Sequence, residues 1–191
     1  MNPVFEPFVL SLVAGLATGI GGIVVLTLRR VGDRVVGFSM GFASGVMLLV
    51  SFNNLFLEAA RLLTHFELIL GFSLGALLMM ALDLVIPHIE LTARRENGKG
   101  AKMLRTGVLI AIGITLHNIP EGLVVTAGYT YMPRLGLIIA IAIMLHNIPE
   151  GVATAIPLAS AGTKPSKVAA LTFLSGLAEP LAALAGVFAF S

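Results

Sequence analysis

The sequence of 191 residues contains no cysteine and no tryptophan, and only 12% of its residues carry a charge. The missing cysteines exclude disulfides, thiolate metal sites and thiol nucleophiles. A soluble domain of this length carries about 25% charged residues, so the low charge excludes a water-soluble globular enzyme. Twelve basic residues against ten acidic ones leave no basic surface for phosphates. A nucleic-acid binder is therefore excluded as well.

Apolar residues make up 57% of the chain. A helix that crosses a bilayer needs about 20 largely apolar residues, and breaking the sequence at its charge clusters and turns leaves six such stretches. The sequence therefore predicts an all-α polytopic transmembrane helix bundle that forms a single transmembrane domain over residues 1–191. The first stretch lacks a basic leader and is expected to be a retained span. The predicted spans are Val4–Leu28, Val35–Ala60, Phe66–Leu91, Met103–Thr130, Leu135–Ala159 and Val168–Phe190.

The basic residues are distributed unevenly between the loops. Ten of the twelve lie after the first, third and fifth stretches, whereas the other side of the membrane has only Arg61 and Arg134. Because loops rich in Lys and Arg stay in the cytoplasm, we expect the three basic loops to be cytoplasmic and both termini to be external. The predicted location is the inner (plasma) membrane, crossed several times.

The hexapeptide HNIPEG occurs twice, at residues 117–122 in the fourth span and at 146–151 in the fifth. An ionisable group at the centre of a bilayer costs about 2.5–3.5 kcal/mol, so it is rarely without a function. In each copy, His and Glu are four residues apart and share one helix face, with Asn on an adjoining face. Each copy also contains a proline, which frees a backbone carbonyl and predicts kinked fourth and fifth helices. Kinked helices with ligands beside the kink form ion sites in transporters.

A third intramembrane carboxylate, Glu179, lies in the sixth span and precedes Pro180. Buried carboxylates without nearby Lys or Arg need protons or a metal ion. Imidazole and carboxylate ligands without thiolate suit Zn(II), Fe(II), Mn(II), Co(II) or Cd(II), and three carboxylates are enough to offset more than one such ion. The candidate metal ligands are His117, Asn118, Glu121, His146, Asn147, Glu150 and Glu179.

Two smaller polar groups lie elsewhere in the spans. Asn54 and Glu58 occupy the outer end of the second span, where they form either an outer entrance for cations or ordinary interhelical hydrogen bonds. Asp83 and His88 lie in the inner half of the third span. They are candidates for an inner release path, with water contact at the helix end as the alternative.

The first two spans are rich in glycine, which predicts close helix packing. Gly37, Gly41 and Gly45 follow the small-residue pattern of tightly packed membrane helices. Because the same pattern joins separate chains, a homodimer stays open as an alternative.

On these motifs the sequence resembles a ZIP (Zrt/Irt-like) divalent-metal transporter of the bacterial type, with HN-x-PEG in both the fourth and the fifth span. The resemblance covers all six spans in order. It implies uptake of zinc or a similar ion toward the cytoplasm. The resemblance also implies that the candidate ligands form the primary metal site, and that this site holds two ions if the carboxylates bridge them. ZIP proteins normally have eight spans, so the resemblance implies that the last two are lacking here.

Two other functions remain open. A metal-binding membrane protein that does not transport, such as a sensor or a partner subunit, would carry the same ligands. An intramembrane metalloenzyme is less favoured, because neither HExxH nor ExxH occurs and no Ser is paired with a base. We therefore expect no enzymatic activity.

Overall fold

The computed structural model describes residues 5–28, 32–92 and 99–190, and within these ranges the chain forms helices joined by short turns. The elements are α1 (Phe5–Leu28), α2 (Asp33–Val50), a π-helical segment (Ser51–Phe56), α3 (Leu57–Leu62), α4 (His65–Thr92), α5 (Lys99–Tyr131), α6 (Pro133–Ser160), α7 (Pro165–Gly176) and α8 (Ala178–Phe190).

Six helical stretches are long and apolar enough to cross a membrane. Four of them are α1, α4, α5 and α6. The second consists of α2, the π-helical segment and α3, which together cover Asp33–Leu62, and the sixth consists of α7 and α8 over Pro165–Phe190. The predicted all-α polytopic bundle is confirmed.

Local sequence explains how several helices begin and end. Thr64 precedes α4 and donates its backbone N–H and its hydroxyl to Glu67 Oε2, at 2.9 and 2.8 Å. The backbone N–H of Glu67 donates back to Thr64 Oγ1 at 3.4 Å, which completes the reciprocal cap expected of a Thr followed three residues later by Glu. Pro133 begins α6, where the missing N–H costs nothing. The turn after α6 uses Gly162 with φ 76°, a left-handed conformation that favours glycine.

The core of the molecule is formed by α1, α5, α6, α7 and α8, which pack against one another. Close backbone contacts between glycines hold these helices together. A Cβ on Gly15 would overlap the carbonyl oxygen of Gly176 in α7, and a Cβ on Gly151 in α6 would overlap the carbonyl oxygen of Thr18. The prediction of close packing is therefore confirmed for the glycines of the first span.

Within the described part of this chain, the glycines of the second span are not closely packed. A Cβ on Gly37, Gly41 or Gly45 would meet nothing within 4 Å, because no described helix of this chain covers that face of α2. Helix α4 is similarly peripheral: it packs mainly on α5, and the part from His65 to Leu82 has no buried residue.

The sixth span is divided into two helices. α7 ends at Gly176 and α8 begins at Ala178. Pro180 has no N–H to donate to the carbonyl of Gly176 four residues earlier, so the regular series of backbone hydrogen bonds is interrupted there. By contrast, α5 continues past Pro120 and α6 past Pro149.

Candidate metal site

The two hexapeptides face each other across the contact between α5 and α6. Glu121 Oε1 lies 3.2 Å from His117 Nε2 on its own helix and 3.0 Å from His146 Nε2 on the neighbouring helix. Glu150 Oε1 lies 4.0 Å from the same His146 nitrogen. One ligand atom each from His117, Glu121 and His146 lies within 4.8 Å of the other two, a spacing that suits a single metal ion.

The hydrogen bonds of His146 fix which of its nitrogens faces Glu121. Nδ1 lies 3.1 Å from the backbone carbonyl of Ala142, which only accepts, so Nδ1 carries the hydrogen. In a neutral imidazole Nε2 then has a lone pair, directed at Glu121 Oε1 only 3.0 Å away. Two lone pairs at this distance repel unless a proton or a metal cation lies between them. A backbone carbonyl on the far nitrogen is also the usual partner of a metal-binding histidine.

The two asparagines of the hexapeptides are fully buried and are oriented by backbone carbonyls of other helices. Asn118 Nδ2 donates to the carbonyl of Ser175 in α7 at 3.0 Å. Asn147 Nδ2 donates to the carbonyl of Ala14 in α1 at 2.9 Å and also to Glu179 Oε1. With each NH₂ group held in this way, each Oδ1 remains as an acceptor.

Several oxygen acceptors of this cluster are buried without a hydrogen-bond donor in the described part of the chain. They are Asn118 Oδ1, Glu121 Oε2, Asn147 Oδ1, Glu150 Oε2 and Glu179 Oε2. A buried acceptor without a partner costs about 1–3 kcal/mol, and more when it is charged. All five atoms are oxygens that ligate cations, so the donor set fits a divalent transition metal ion.

Burial is uneven across the cluster. The side chain of His117 is 40% exposed, whereas those of Glu121 and His146 are 6% and 3% exposed, and Glu179 is completely buried. His117 therefore forms the open edge of the site, and Glu179 forms its closed end.

The structure does not bring the predicted outer residues to this cluster. Glu58 in α3 accepts a hydrogen bond from Arg61 Nη1 at 2.9 Å and another from Tyr131 Oη at 2.9 Å. Tyr131 follows Glu121 by ten residues on α5, which places Glu58 about 15 Å along the helix from the cluster. Asn54 lies in the π-helical segment and is half-buried. π-Helical turns occur frequently at functional sites.

The predicted inner residues Asp83 and His88 belong to α4. Their side chains lie outside the described part of the structure.

Sequence reasoning missed what α1 contributes to the site. The carbonyl of Ala14 orients Asn147, and the hydroxyls of Ser11 and Thr18 are buried on the same helix without a described partner. A signal was available, because Ser11, Gly15, Thr18 and Gly22 repeat every three or four residues and so form one stripe of small and polar residues. Nothing local, however, indicates which carbonyl an amide from another helix will reach.

Comparison with known proteins places this sequence in a family. The family model described as ZIP zinc transporter matches residues 90–190, which contain both hexapeptides and Glu179. The zinc transporter ZupT of Streptococcus mutans is 36% identical over 96% of this chain and 75% of its own length. The zinc transporters ZupT of Chlorobaculum parvum and Corynebacterium efficiens are each 38% identical, over 95% and 94% of this chain and 74% and 73% of their own lengths.

The family match and the relatives confirm the resemblance found in the motifs, and the relatives cover nearly the whole chain. The chain belongs to the ZIP zinc transporter family.

Proposed function

We propose that this protein moves a divalent transition metal ion, with Zn²⁺ as the first choice and Fe²⁺, Mn²⁺, Co²⁺ or Cd²⁺ as related ones, through the membrane toward the cytoplasm. The observation that supports the proposal is the buried cluster between α5 and α6. Two imidazoles there face the carboxylate of Glu121, and other carboxylate and amide oxygens of the candidate ligands are buried without a donor among the described residues. Membership of a family of zinc transporters supports transport over simple binding.

The ion is held first by His117, Glu121 and His146, whose ligand atoms lie within 4.8 Å of one another. Glu150, whose Oε1 lies 4.0 Å from His146 Nε2, is the fourth ligand. Four ligands satisfy one Zn²⁺. Asn118, Asn147 and Glu179 form a deeper group of oxygen ligands, and the surplus of donors supports a second ion in the same site.

The exposed edge at His117 is the entry side of the cluster. Asn54 and Glu58 serve as an outer entrance, where an arriving cation competes with Arg61 and Tyr131 for the carboxylate of Glu58. Asp83 and His88 serve as an inner release path. Alternating access by movement of one helix group against another then exposes the site to each side in turn.

The surroundings of the protein follow from its exposed surfaces. Lipid of the inner membrane covers the exposed apolar side chains of α2 and α4, such as Phe38 and Phe66. Both termini are external and the basic loops are cytoplasmic. The uncovered glycine face of α2 supports a homodimer in which a second copy packs there. Catalysis is not part of the proposed function.

Flux measurements on the purified full chain in proteoliposomes test the proposal. A Zn²⁺-sensitive dye inside the vesicles should report saturable uptake, and Glu121→Gln should abolish it, because this change removes the charge between the two imidazoles at constant size. Glu67→Gln is the matched control, since Glu67 only caps α4. Tight Zn²⁺ binding without any flux would contradict transport and favour a metal-binding protein that does not transport.

A further inference from the structure

The hydroxyl of Thr18 in α1 differs from those of the other fully buried threonines. Thr18 has no exposed surface, and its Oγ1 has no hydrogen-bond partner in the described part of the chain. Thr126, Thr154 and Thr172 are equally buried, but each donates to a carbonyl of its own helix, at 3.2, 3.0 and 2.9 Å respectively. Such bonding to the preceding turn is the usual arrangement for a helical threonine.

The metal site occupies one of the two carbonyls that a helical threonine can use. The carbonyl four residues before Thr18 belongs to Ala14, and it accepts from Asn147 Nδ2 at 2.9 Å. In an α-helix the same carbonyl also accepts the N–H of Thr18, so both of its lone pairs are occupied. The amide of Asn147 therefore occupies the carbonyl of Ala14. Thr18 Oγ1 has no hydrogen-bond partner among the described residues and can bind another ligand.

Thr18 Oγ1 lies at the contact between α1 and the sixth span. It is adjacent to the break in the sixth span, because a Cβ built on Gly176 would lie 3.2 Å from it. Glu179 follows that break after two residues, and its carboxylate is bonded to Asn147. Thr18 is also one helical turn after Ala14, whose carbonyl holds Asn147. Asn147 and Glu179 each keep an oxygen without a donor among the described residues.

We propose that Thr18 is a further residue of the ion route: its hydroxyl binds the divalent cation as the ion passes from the imidazole cluster to the Asn147 and Glu179 side. This inference rests on the proposed transport function. A group of hydroxyl, amide and carboxylate oxygens holds Zn²⁺ less tightly than imidazoles do. Conduction requires sites that an ion leaves as readily as it enters, so Thr18 acts in transfer and contributes little to equilibrium binding.

The test compares Zn²⁺ flux and Zn²⁺ binding in variants of the full chain. Thr18→Val keeps the shape of the side chain and removes only the hydroxyl. We expect it to lower the maximal flux rate at least fivefold while the dissociation constant for Zn²⁺ changes less than twofold. Thr18→Ser, which keeps the hydroxyl, should retain flux within twofold of the parent.

Thr172→Val is the matched control, because Thr172 is equally buried but its hydroxyl is satisfied within α7; its flux should stay within twofold of the parent. If Thr18→Val does not fold, the smaller Thr18→Ala replaces it in the same comparison. Normal flux in the variant without the hydroxyl, or equal losses in it and in Thr18→Ser, would overturn the role of Thr18 and leave transport intact. A parent without flux would overturn both proposals.

Discussion

At the scale of single residues, the site depends on a few atoms that serve two elements at once. Glu121 Oε1 is shared by an imidazole of its own helix and one of the neighbouring helix, at 3.2 and 3.0 Å. His146 is more constrained than His117, because it is buried and its Nδ1 is held by Ala142. A ligand held in place in this way loses little freedom when it binds a metal ion, so its removal should be costly.

The first prediction concerns His146. His146→Ala should weaken Zn²⁺ binding more than tenfold, which corresponds to about 1.4 kcal/mol, because it removes a buried nitrogen that lies within 4.0 Å of both Glu121 and Glu150. Isothermal titration of the purified protein measures this change. His65→Ala provides the matched control, since His65 lies at the start of α4 on the surface. Unchanged affinity in His146→Ala would contradict the assignment of the site.

At the scale of elements, helix contacts position the ligands. α1 crosses α6 at Gly21 and Gly151, and it crosses α7 at Gly15 and Gly176. Only the absence of side chains at these positions lets the backbone of α1 approach closely enough for its Ala14 carbonyl to reach the amide of Asn147. The glycines of the core are thus part of how the site is formed, although none of them is a ligand.

The second prediction concerns these crossings. Gly151→Ala should lower the free energy of unfolding by about 1–3 kcal/mol, the usual cost of overpacking, because the new methyl overlaps the carbonyl of Thr18. Gly71→Ala in α4 is the control: its methyl meets nothing within 4 Å, so the better helix propensity of alanine applies. Thermal unfolding in detergent should show a lower midpoint for Gly151→Ala alone. Equal midpoints would mean that α1 and α6 do not cross at this glycine.

At the scale of the whole molecule, the chain has an inner group of helices and an outer group. α1, α5, α6, α7 and α8 surround the site, whereas α2 and α4 pack on α6 and α5 and leave most of their apolar surface uncovered. This division follows from composition, since the intramembrane His and Glu that form the site are all on α5, α6 and α8. The charges of the loops are the basis for the proposed direction in which the bundle crosses the membrane.

The third prediction concerns that direction. Because the chain has no cysteine, a single introduced cysteine is the only thiol to label. Met132→Cys, in the turn between α5 and α6, should react with a membrane-impermeant maleimide on intact cells. Lys164→Cys, in the turn before α7, should react only after the cells are opened. The opposite pattern would reverse the orientation inferred from the basic loops.

The sequence determined the six helices, the paired ligands and their shared face, because each of these depends on local properties: the apolar length of a span, the spacing of residues on one helix, and the cost of a charge in a bilayer. His117 and Glu121 meet because they are four residues apart on one helix. The repeat of the hexapeptide was enough to indicate that the fifth span supplies the second half of the metal site.

Only the tertiary structure decided which helix faces meet. It paired Asn118 with the carbonyl of Ser175 and Asn147 with that of Ala14, packed the glycines of α1 but left those of α2 uncovered, and placed the unpaired hydroxyl of Thr18 beside the break in the sixth span. Every helix has a similar row of backbone carbonyls and a similar set of small residues. Which of them becomes a partner therefore depends on contacts between residues far apart in the chain.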